Sequence, residues 1–240
     1  MNKQAVAALD LGIVIVSYNV QALLRRCLQS IYDSIGDVSF AVCVVDNNSP
    51  DDSAAMVKAQ FPQVHLIANA DNPGYSTANN QGIHWLNSAF DAPPRYILLL
   101  NPDTEVMPNT FCDSVRYMEQ NLKVGIMGPK LLLPDGHLDL ACRRSFPSPM
   151  VSFYRMTGLS KLFPDSKKFG RYNMTYLDED QLTEVDSVVG AFMLVRQAAI
   201  RQVGLLDEQF WMYGEDLDWA KRIKDHGWKV IYNPRILTLH

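Results

Sequence analysis

The 240-residue sequence contains no apolar run that approaches the roughly 18 residues needed by a membrane-spanning helix. Its N-terminal stretch, MNKQAVAALDLG, has one lysine and no long apolar core, so it does not resemble a secretory signal peptide. The four cysteines form no Cys-x-x-Cys pair, and Cys27 and Cys43 lie in apolar patterns typical of reduced core residues. These absences predict a cytoplasmic protein rather than a secreted or membrane-spanning one.

Positive charge is also scarce, because 22 lysines and arginines are set against 26 acidic residues. The formal net charge of −4 and the pI of about 5.7 argue against a nucleic acid as the partner. The chain is nevertheless 48% hydrophobic, which is enough for one large domain or two small ones with a substantial core.

One region departs from this acidic average. Residues 141–177, hereafter the basic segment, hold seven lysines or arginines and a single acid, Asp165. The same segment carries apolar residues, namely Phe146, Met150, Phe153, Tyr154, Met156, Leu159, Leu162 and Phe163. A solvated loop would account for the charge alone. The combination of basic and apolar residues favours contact with an anionic amphiphile, such as a lipid phosphate or a membrane surface.

The first half of the chain alternates strand and helix patterns. GIVIVSYN, residues 12–19, is a β-branched run typical of a strand buried on both faces, and apolar residues then recur at helical spacing to residue 31. Further strands are predicted at 40–45, 64–68, 96–100 and 124–128, with helices in DDSAAMVKAQF, at 75–89 and at 109–122. Such alternation predicts parallel pairing in a Rossmann-like α/β sheet.

The pattern changes after residue 128. KLLLPDGHLDLA is predicted to form a hairpin around Pro-Asp-Gly, and VDSVVGAFMLV a long apolar strand. GEDLDWAKRIKDHG follows as a helix and WKVIYN as another strand. One domain with an irregular second half fits this order of elements.

Polar side chains follow two predicted strands directly. In LLLNPDT, residues 98–104, Asn101 and Asp103 lie on one side of the chain, where a carboxylate can bind a hard divalent cation. In VVDNNSPDDS, residues 44–53, Asp46 ends a strand and opens an acidic loop. A ligand site at the carboxyl edge of the sheet would explain both motifs, and ordinary strand-ending turns would also explain them.

Two further motifs open predicted helices. In NPGYSTANNQG, residues 72–82, Gly74 permits close backbone approach and Asn79 can bind a hydroxyl or phosphate, although a turn with a poor helix would look the same. In YGEDLDWAKRIKDHGW, residues 213–228, the helix dipole alone would favour the acids of the first turn. Asp216 has Ala220 four residues on and therefore no local cationic partner, so it can serve as a general base.

Taken in this order, the motifs closely resemble those of family 2 glycosyltransferases of the GT-A fold, in particular the branch that includes rhamnosyltransferases. The resemblance extends from Ile13 to His240 and implies a single α/β domain, residues 1–240, with a mixed, mainly parallel sheet flanked by helices. Residues 12–128 would form the nucleotide-sugar-binding half, and residues 129–240 the acceptor-binding and catalytic half. Members of the family commonly continue with further helices, so we expect the chain to be shortened at its C-terminus.

The resemblance also implies roles for individual residues. Asp216 would be the catalytic base, with Glu215 as the next candidate. Asp103 matches the acid of the family's Asp-x-Asp metal motif, but Asn101 replaces the first acid, which puts a strict metal requirement in question. His240 would be the second metal ligand. The donor-binding residues would be Ser17, Tyr18, Asn19, Asp46, Asn48, Asn72, Gly74, Asn79, Asn101, Asp103, Gly190 and Ala191, and the acceptor-binding residues Arg143, Arg144 and Trp211.

The activity implied is inverting, single-displacement transfer from a deoxythymidine- or uridine-diphosphate sugar to a hydroxyl of a glycan or lipid-linked acceptor in cell-surface polysaccharide synthesis. Rhamnose is the sugar suggested by the branch, Mn²⁺ or Mg²⁺ the cofactor, and a peripheral contact with the inner face of the cytoplasmic membrane is expected. A sugar-1-phosphate nucleotidyltransferase is an alternative, although the first strand leads into SYNV without a glycine-rich phosphate loop. An inactive sugar-nucleotide-binding module is another. The oligomeric state stays open.

Overall fold

The computed structural model describes residues 9–240. Residues 1–8, which carry most of the stretch that does not resemble a signal peptide, lie outside the described residues. The strands are β1 Leu11–Ser17, β2 Phe40–Asp46, β3 His65–Ala68, β4 Tyr96–Leu100, β5 Glu105–Val106, β6 Val124–Leu132, β7 Thr183–Glu184, β8 Phe192–Arg196 and β9 Lys229–Leu239. The helices are α1 Gln21–Tyr32, α2 Ser53–Gln60, α3 Tyr75–Ala89, α4 Thr110–Gln120, α5 Pro149–Met156, α6 Leu159–Leu162, α7 Gln197–Val203 and α8 Glu215–Asp225.

All nine strands belong to one mixed sheet, in the order β3-β2-β1-β4-β8-β6-β9-β5, with β7 also pairing to β9. β1 runs parallel to β2 and β4, and β2 runs parallel to β3. β8 is antiparallel to both of its neighbours, β4 and β6, whereas β6 and β9 are parallel. The predicted α/β fold with a mixed sheet flanked by helices is confirmed.

The parallel half of the sheet is buried on both faces, as its β-branched composition predicts. Every residue of β1 and β4 is buried. α3 packs on this half through Gly82, where a Cβ atom would lie 2.5 Å from Cγ1 of Val14. A glycine inside α3 weakens the isolated helix, and this close approach of helix and strand compensates for it.

The second half differs in part from the prediction. The hairpin around Pro-Asp-Gly forms, with Leu132 bridged to Leu138 and Gly136 in the left-handed region. The predicted long strand VDSVVGAFMLV is wrong over its first part, because strand β8 begins only at Phe192. The backbone nitrogens of Asp186 and Ser187 donate instead to the carbonyl oxygen of Arg144, so these residues cannot join the neighbouring strand.

The basic segment forms two short helices connected to the rest of the domain by loops. α5 begins at a Ser148 cap that accepts from the Val151 backbone nitrogen, with Pro149 in its first turn. Among residues 9–240, no helix combines the length and the hydrophobicity that crossing a bilayer would require.

Candidate functional site

A cavity of about 400 Å³ opens at the carboxyl ends of the parallel strands β1, β2 and β4. Parallel strands end at a common edge, and open α/β sheets bind ligands there. Ten of the residues predicted from the sequence line this cavity: Tyr18, Asn72, Gly74, Asn101, Asp103, Gly190, Ala191, Trp211, Glu215 and Asp216. Eight others do not line it: Ser17, Asn19, Asp46, Asn48, Asn79, Arg143, Arg144 and His240.

The loops after β1 and β2 are joined through one serine. Asp46 accepts hydrogen bonds from the backbone nitrogen of Ser49 at 2.9 Å and from its hydroxyl at 2.6 Å. The backbone nitrogen of Asn19 donates to the same hydroxyl oxygen at 2.9 Å. Asp46 therefore shapes the turn at the edge of the cavity, Ser17 is fully buried, and Asn19 and Asn48 are exposed beside the turn.

A residue that the sequence analysis missed, Asn47, lines the cavity next to Asp46. Its amide nitrogen lies 3.2 Å from Asn72 Oδ1 and 3.3 Å from the carbonyl oxygen of Gly74, and its amide oxygen accepts from Asn69 at 2.9 Å. The motif itself contained the signal, because Asn47 lies between the two residues chosen for the site. These bonds tie the loop after β2 to the turn that opens α3.

A second residue that was missed, Tyr75, connects three parts of the cavity wall. Its hydroxyl lies 3.2 Å from Asn101 Oδ1 and 3.2 Å from the carbonyl oxygen of Gly190. A Cβ atom at Gly190 would lie 3.1 Å from that hydroxyl, so a side chain there would press the Tyr75 hydroxyl out of this position. Asn79 was predicted to contact the donor. Instead it is buried in α3, and its amide donates to the Tyr75 carbonyl oxygen.

Asp103 and His240 come together at one side of the cavity, although they are far apart in the sequence. Asp103 Oδ1 lies 3.5 Å from His240 Nε2, and His240 Nδ1 lies 2.9 Å from Asp139 Oδ2. Hydrogen bonds to Asp103 and Asp139 raise the pKa of His240 to about 9, and the bond to His240 lowers the pKa of Asp103. Asp139 lies in the hairpin region, where no pattern in the sequence indicated it.

Glu215 and Asp216 form the first turn of α8, and both are buried at the cavity wall. Burial and, to a smaller extent, the neighbouring Asp216 carboxylate raise the pKa of Glu215 to about 7. One oxygen of Glu215, Oε2, is buried without a hydrogen-bond partner. Asp216 has no cationic partner within its own helix, as the sequence indicates, but it has one that is distant in the sequence, because Nη2 of Arg144 lies 2.5 Å from its Oδ2.

The predicted acceptor role of Arg143 and Arg144 is not what the structure shows, because both side chains are buried. Arg143 donates to the carbonyl oxygens of Asp178 at 2.7 Å and Leu177 at 2.8 Å, and its guanidinium lies over the ring of Tyr232. A buried guanidinium must be paired within the fold, so neither arginine is available to a ligand at the surface.

Trp211 and the two residues after it form an exposed apolar rim on the cavity, with 56% of Trp211, 47% of Met212 and 82% of Tyr213 accessible. The carbonyl oxygen of Trp211 accepts from the Tyr75 backbone nitrogen at 2.7 Å. Gly74 allows this contact, since a Cβ there would lie 2.5 Å from the same oxygen. The rim is therefore held against the opening of α3 by a contact that only glycine permits.

Comparison with known proteins gives this cavity its context. The family model for "Glycosyl transferase family 2" matches residues 12–204. The chain is 28% identical over 235 residues to the N-acetylglucosaminyl-diphospho-decaprenol L-rhamnosyltransferase of Mycobacterium tuberculosis, covering 96% of this chain and 75% of that protein. It is 26% identical to the rhamnosyltransferase WbbL of Escherichia coli (strain K12), covering 95% of this chain and 82% of that protein.

Solved structures show the same fold at low sequence identity. GalNAc-T7 with UDP, GalNAc and Mn²⁺ matches 97% of this chain with a TM-score of 0.68 at 14% identity. The mannosyltransferase PcManGT of Pyrobaculum calidifontis, in complex with GDP-Man and Mn²⁺, matches all of it with a TM-score of 0.64 at 15% identity. The chain spans 44% and 59% of the lengths of these two proteins. With the family model matching most of its length, the chain belongs to glycosyltransferase family 2 and has the GT-A fold.

Proposed function

We propose that the chain transfers a sugar from a nucleoside diphosphate sugar to a hydroxyl group of a glycan or lipid-linked acceptor, with inversion at the anomeric carbon, in cell-surface polysaccharide synthesis. The observation that carries this proposal is that one cavity is lined by amide side chains, by Asp103 and by the carboxylate pair Glu215 and Asp216. Amides can bind the hydroxyl groups of the donor, and the carboxylates can hold a cation or accept a proton.

The donor is proposed to lie along the carboxyl edge of the sheet, with its base beside Tyr18 and Asn47 and its sugar beside Gly190 and Ala191. Tyr18 is about half exposed, so its ring is free to stack on a pyrimidine. A deoxythymidine- or uridine-diphosphate sugar is proposed, and rhamnose is favoured because two relatives are named as rhamnosyltransferases.

A divalent cation, Mn²⁺ or Mg²⁺, is proposed to bind at Asp103 and His240. Among residues 9–240, no cluster of three or more His, Cys, Asp or Glu side chains could hold a metal by itself. A carboxylate and an imidazole fit a cation whose other positions are filled by diphosphate oxygens and water, and the imidazole favours Mn²⁺ over Mg²⁺. When bound, the cation would neutralise charge on the departing diphosphate. Asp139 would orient the imidazole through Nδ1.

Asp216 is proposed to remove the proton of the acceptor hydroxyl as that oxygen attacks the anomeric carbon and the bond to the diphosphate breaks. Glu215 is the second candidate for this role, because its pKa of about 7 leaves it partly ionised near neutral pH. Trp211 and its exposed neighbours would contact the acceptor. No covalent intermediate is needed in a single displacement.

The basic segment is proposed to contact a lipid-linked acceptor or the inner face of the cytoplasmic membrane. Five of its basic residues are exposed: Arg155, Lys161, Lys167, Lys168 and Arg171. Its exposed apolar residues include Met156, 87% accessible, and Leu162, 69% accessible. Exposed apolar side chains among basic ones suit the interface of an anionic bilayer.

The proposal is tested with a panel of nucleotide sugars, measured by thermal unfolding with and without Mn²⁺ and by release of nucleoside diphosphate. The acceptor probe is a polyprenyl-diphosphate-linked N-acetylglucosamine, chosen from the name of the mycobacterial relative. A specific donor should raise the melting temperature by mass action, and D216N should bind that donor without turning it over. Formation of a nucleotide sugar from a sugar 1-phosphate and a nucleoside triphosphate would overturn the proposal, as would donor binding without any turnover by the wild type.

A further inference from the structure

The carboxylate of Asp216 is held on both oxygens. Oδ1 accepts from the backbone nitrogen of Leu217 at 2.8 Å. Oδ2 accepts from Arg144 at 2.5 Å and from the backbone nitrogen of Gly190 at 3.3 Å. Since only 9% of the Asp216 side chain is accessible to solvent, these bonds rather than water determine its orientation.

Arg144 is itself fixed by the chain segment that leads to Gly190. Its backbone nitrogen donates to the carbonyl oxygen of Ser187 at 2.9 Å, and its carbonyl oxygen accepts from the Ser187 nitrogen at 3.0 Å. Its guanidinium donates at 2.9 Å to the carbonyl oxygen of Val188 as well as to Asp216. The arginine therefore has little freedom to move, and neither does the carboxylate that it contacts.

The ion pair between Arg144 and Asp216 also offsets the negative charge of the buried carboxylates at the start of α8. Glu215 and Asp216 are adjacent buried carboxylates. Within residues 9–240, Arg144 is the cationic side chain that forms an ion pair with either of them. A buried carboxylate without such a partner is strongly destabilised, so removal of the guanidinium should move Asp216 towards water or towards another donor.

We propose that Arg144 is a positioning residue for sugar transfer, which holds the Asp216 carboxylate in the orientation needed to take the proton of the acceptor hydroxyl. The inference rests on the proposed role of Asp216 as base. It also gives the start of the basic segment a role in the site, since Arg144 lies where that segment is bridged to Ser187 in the stretch before β8.

The preceding residue provides a matched control. Arg143 is buried like Arg144, with 2% of its surface accessible against 9%. Its guanidinium donates to two backbone carbonyl oxygens and lies over the ring of Tyr232. None of these contacts involves a carboxylate. Substitutions of Arg143 therefore measure what the loss of a buried guanidinium does to the fold, without the effect on Asp216.

The experiment compares R144Q and R144K with R143Q and R143K, measuring kcat, donor KM and the melting temperature of each. Turnover is followed as release of nucleoside diphosphate from dTDP-rhamnose, which counts both transfer to the acceptor and slow hydrolysis. R144Q should lower kcat about 10- to 100-fold while donor KM changes by no more than about twofold, because a base displaced by about 1 Å loses rate rather than donor binding. R144K should recover part of the loss, since an ammonium still pairs with the carboxylate.

R143Q should lower the melting temperature while its kcat stays close to that of the wild type. If R144Q does not fold, R144K carries the test, with a smaller fall in kcat expected at unchanged KM. Wild-type kcat in the folded Arg144 variant would overturn the inference. An equal fall in kcat in R143Q would overturn it too, since that would show a general effect on folding.

A double variant separates this inference from the function on which it rests. In D216N the arginine has no base to position, so D216N and D216N/R144Q should show the same residual turnover. If R144Q lowers the turnover of D216N by the same factor as it lowers that of the wild type, the inference is overturned. Wild-type turnover in D216N would instead overturn the assignment of the base. An inactive D216N combined with a fully active R144Q would leave the base in place and remove only the role of Arg144.

Discussion

The pKa of Glu215 predicts a specific dependence of stability on pH, which E215Q should abolish. Burial raises this pKa from 4.5 to about 7. Between those two values the unfolded chain has released the proton while the folded chain keeps it, so the stability of the folded state falls as the pH rises. The full stabilising contribution is present below pH 4.5 and is lost as the pH passes through 7.

The size of the effect follows from the interval between the two pKa values. At about 1.36 kcal/mol per pH unit, ionisation of the buried carboxyl group makes the wild type about 3 kcal/mol less stable above pH 7 than it would be with a neutral side chain. Glutamine has nearly the same shape and no proton to release. E215Q should therefore match the wild type near pH 4.5 and exceed its free energy of unfolding by about 3 kcal/mol at pH 8.

The assay is urea unfolding at several pH values from 4.5 to 8, followed by tryptophan fluorescence. Trp219 is fully buried in α8, beside the site, so its emission reports the unfolding of this region. The measurement at pH 4.5 is the internal control, because both folded proteins are neutral at residue 215 there. A difference in free energy that stays constant over the whole range would refute the reasoning, since it would show that Glu215 is ionised in the folded protein throughout.

Three further outcomes are expected. G74A should lose about 1–3 kcal/mol of stability and weaken donor binding, because φ is +94° and the new Cβ would clash with the Trp211 carbonyl oxygen. G136A, at φ +82° with open space around it, should lose only the smaller free energy that the left-handed backbone costs a non-glycine residue. H240A should bind Mn²⁺ more weakly in the presence of nucleoside diphosphate. Between pH 9 and about 7, where the diphosphate stays ionised, wild-type affinity should fall as the pH drops and that of H240A should not, so equal titrations would contradict the proposed ligand. Replacing Met156 and Leu162 with serine should reduce sedimentation with anionic vesicles at low salt, whereas L122S, a similarly exposed leucine outside the basic segment, should not; unchanged binding would refute membrane contact through these residues.

The first half of the fold could be predicted because its signals are local. The helix expected at 75–89 is α3, with the same bounds, and the strand expected at 96–100 is β4. Apolar periodicity depends on which residues of a single element face the core, and the sequence contains that information directly. The strand predicted over residues 185–195 failed in its first part for the opposite reason, because its backbone groups bond to a residue distant in the sequence.

Some residues of the candidate site could be predicted from the sequence, and others could not. Asp103 could be assigned to the carboxyl edge of the sheet because it follows a recognisable strand, whereas the carboxylates that open α8 were assigned to the same site through the family resemblance. Asp139 could not be assigned, because it meets His240 across 101 residues of sequence. The prediction that Arg143 and Arg144 contact an acceptor was wrong for a related reason, since charge and composition say nothing about whether a side chain is covered.

The order of strands and helices along the chain, and the position of Asp103 at the end of a strand, follow from local patterns in the sequence, and the ordered motifs resemble those of the family to which the chain belongs. The pairing of buried groups and the extent to which each is desolvated became visible in the folded structure. The ion pair between Arg144 and Asp216 joins residues 72 positions apart, and the raised pKa of Glu215 results from burial by several elements at once. Burial and electrostatic interaction are sums over all neighbours in space, so they take their values only once the whole chain has folded.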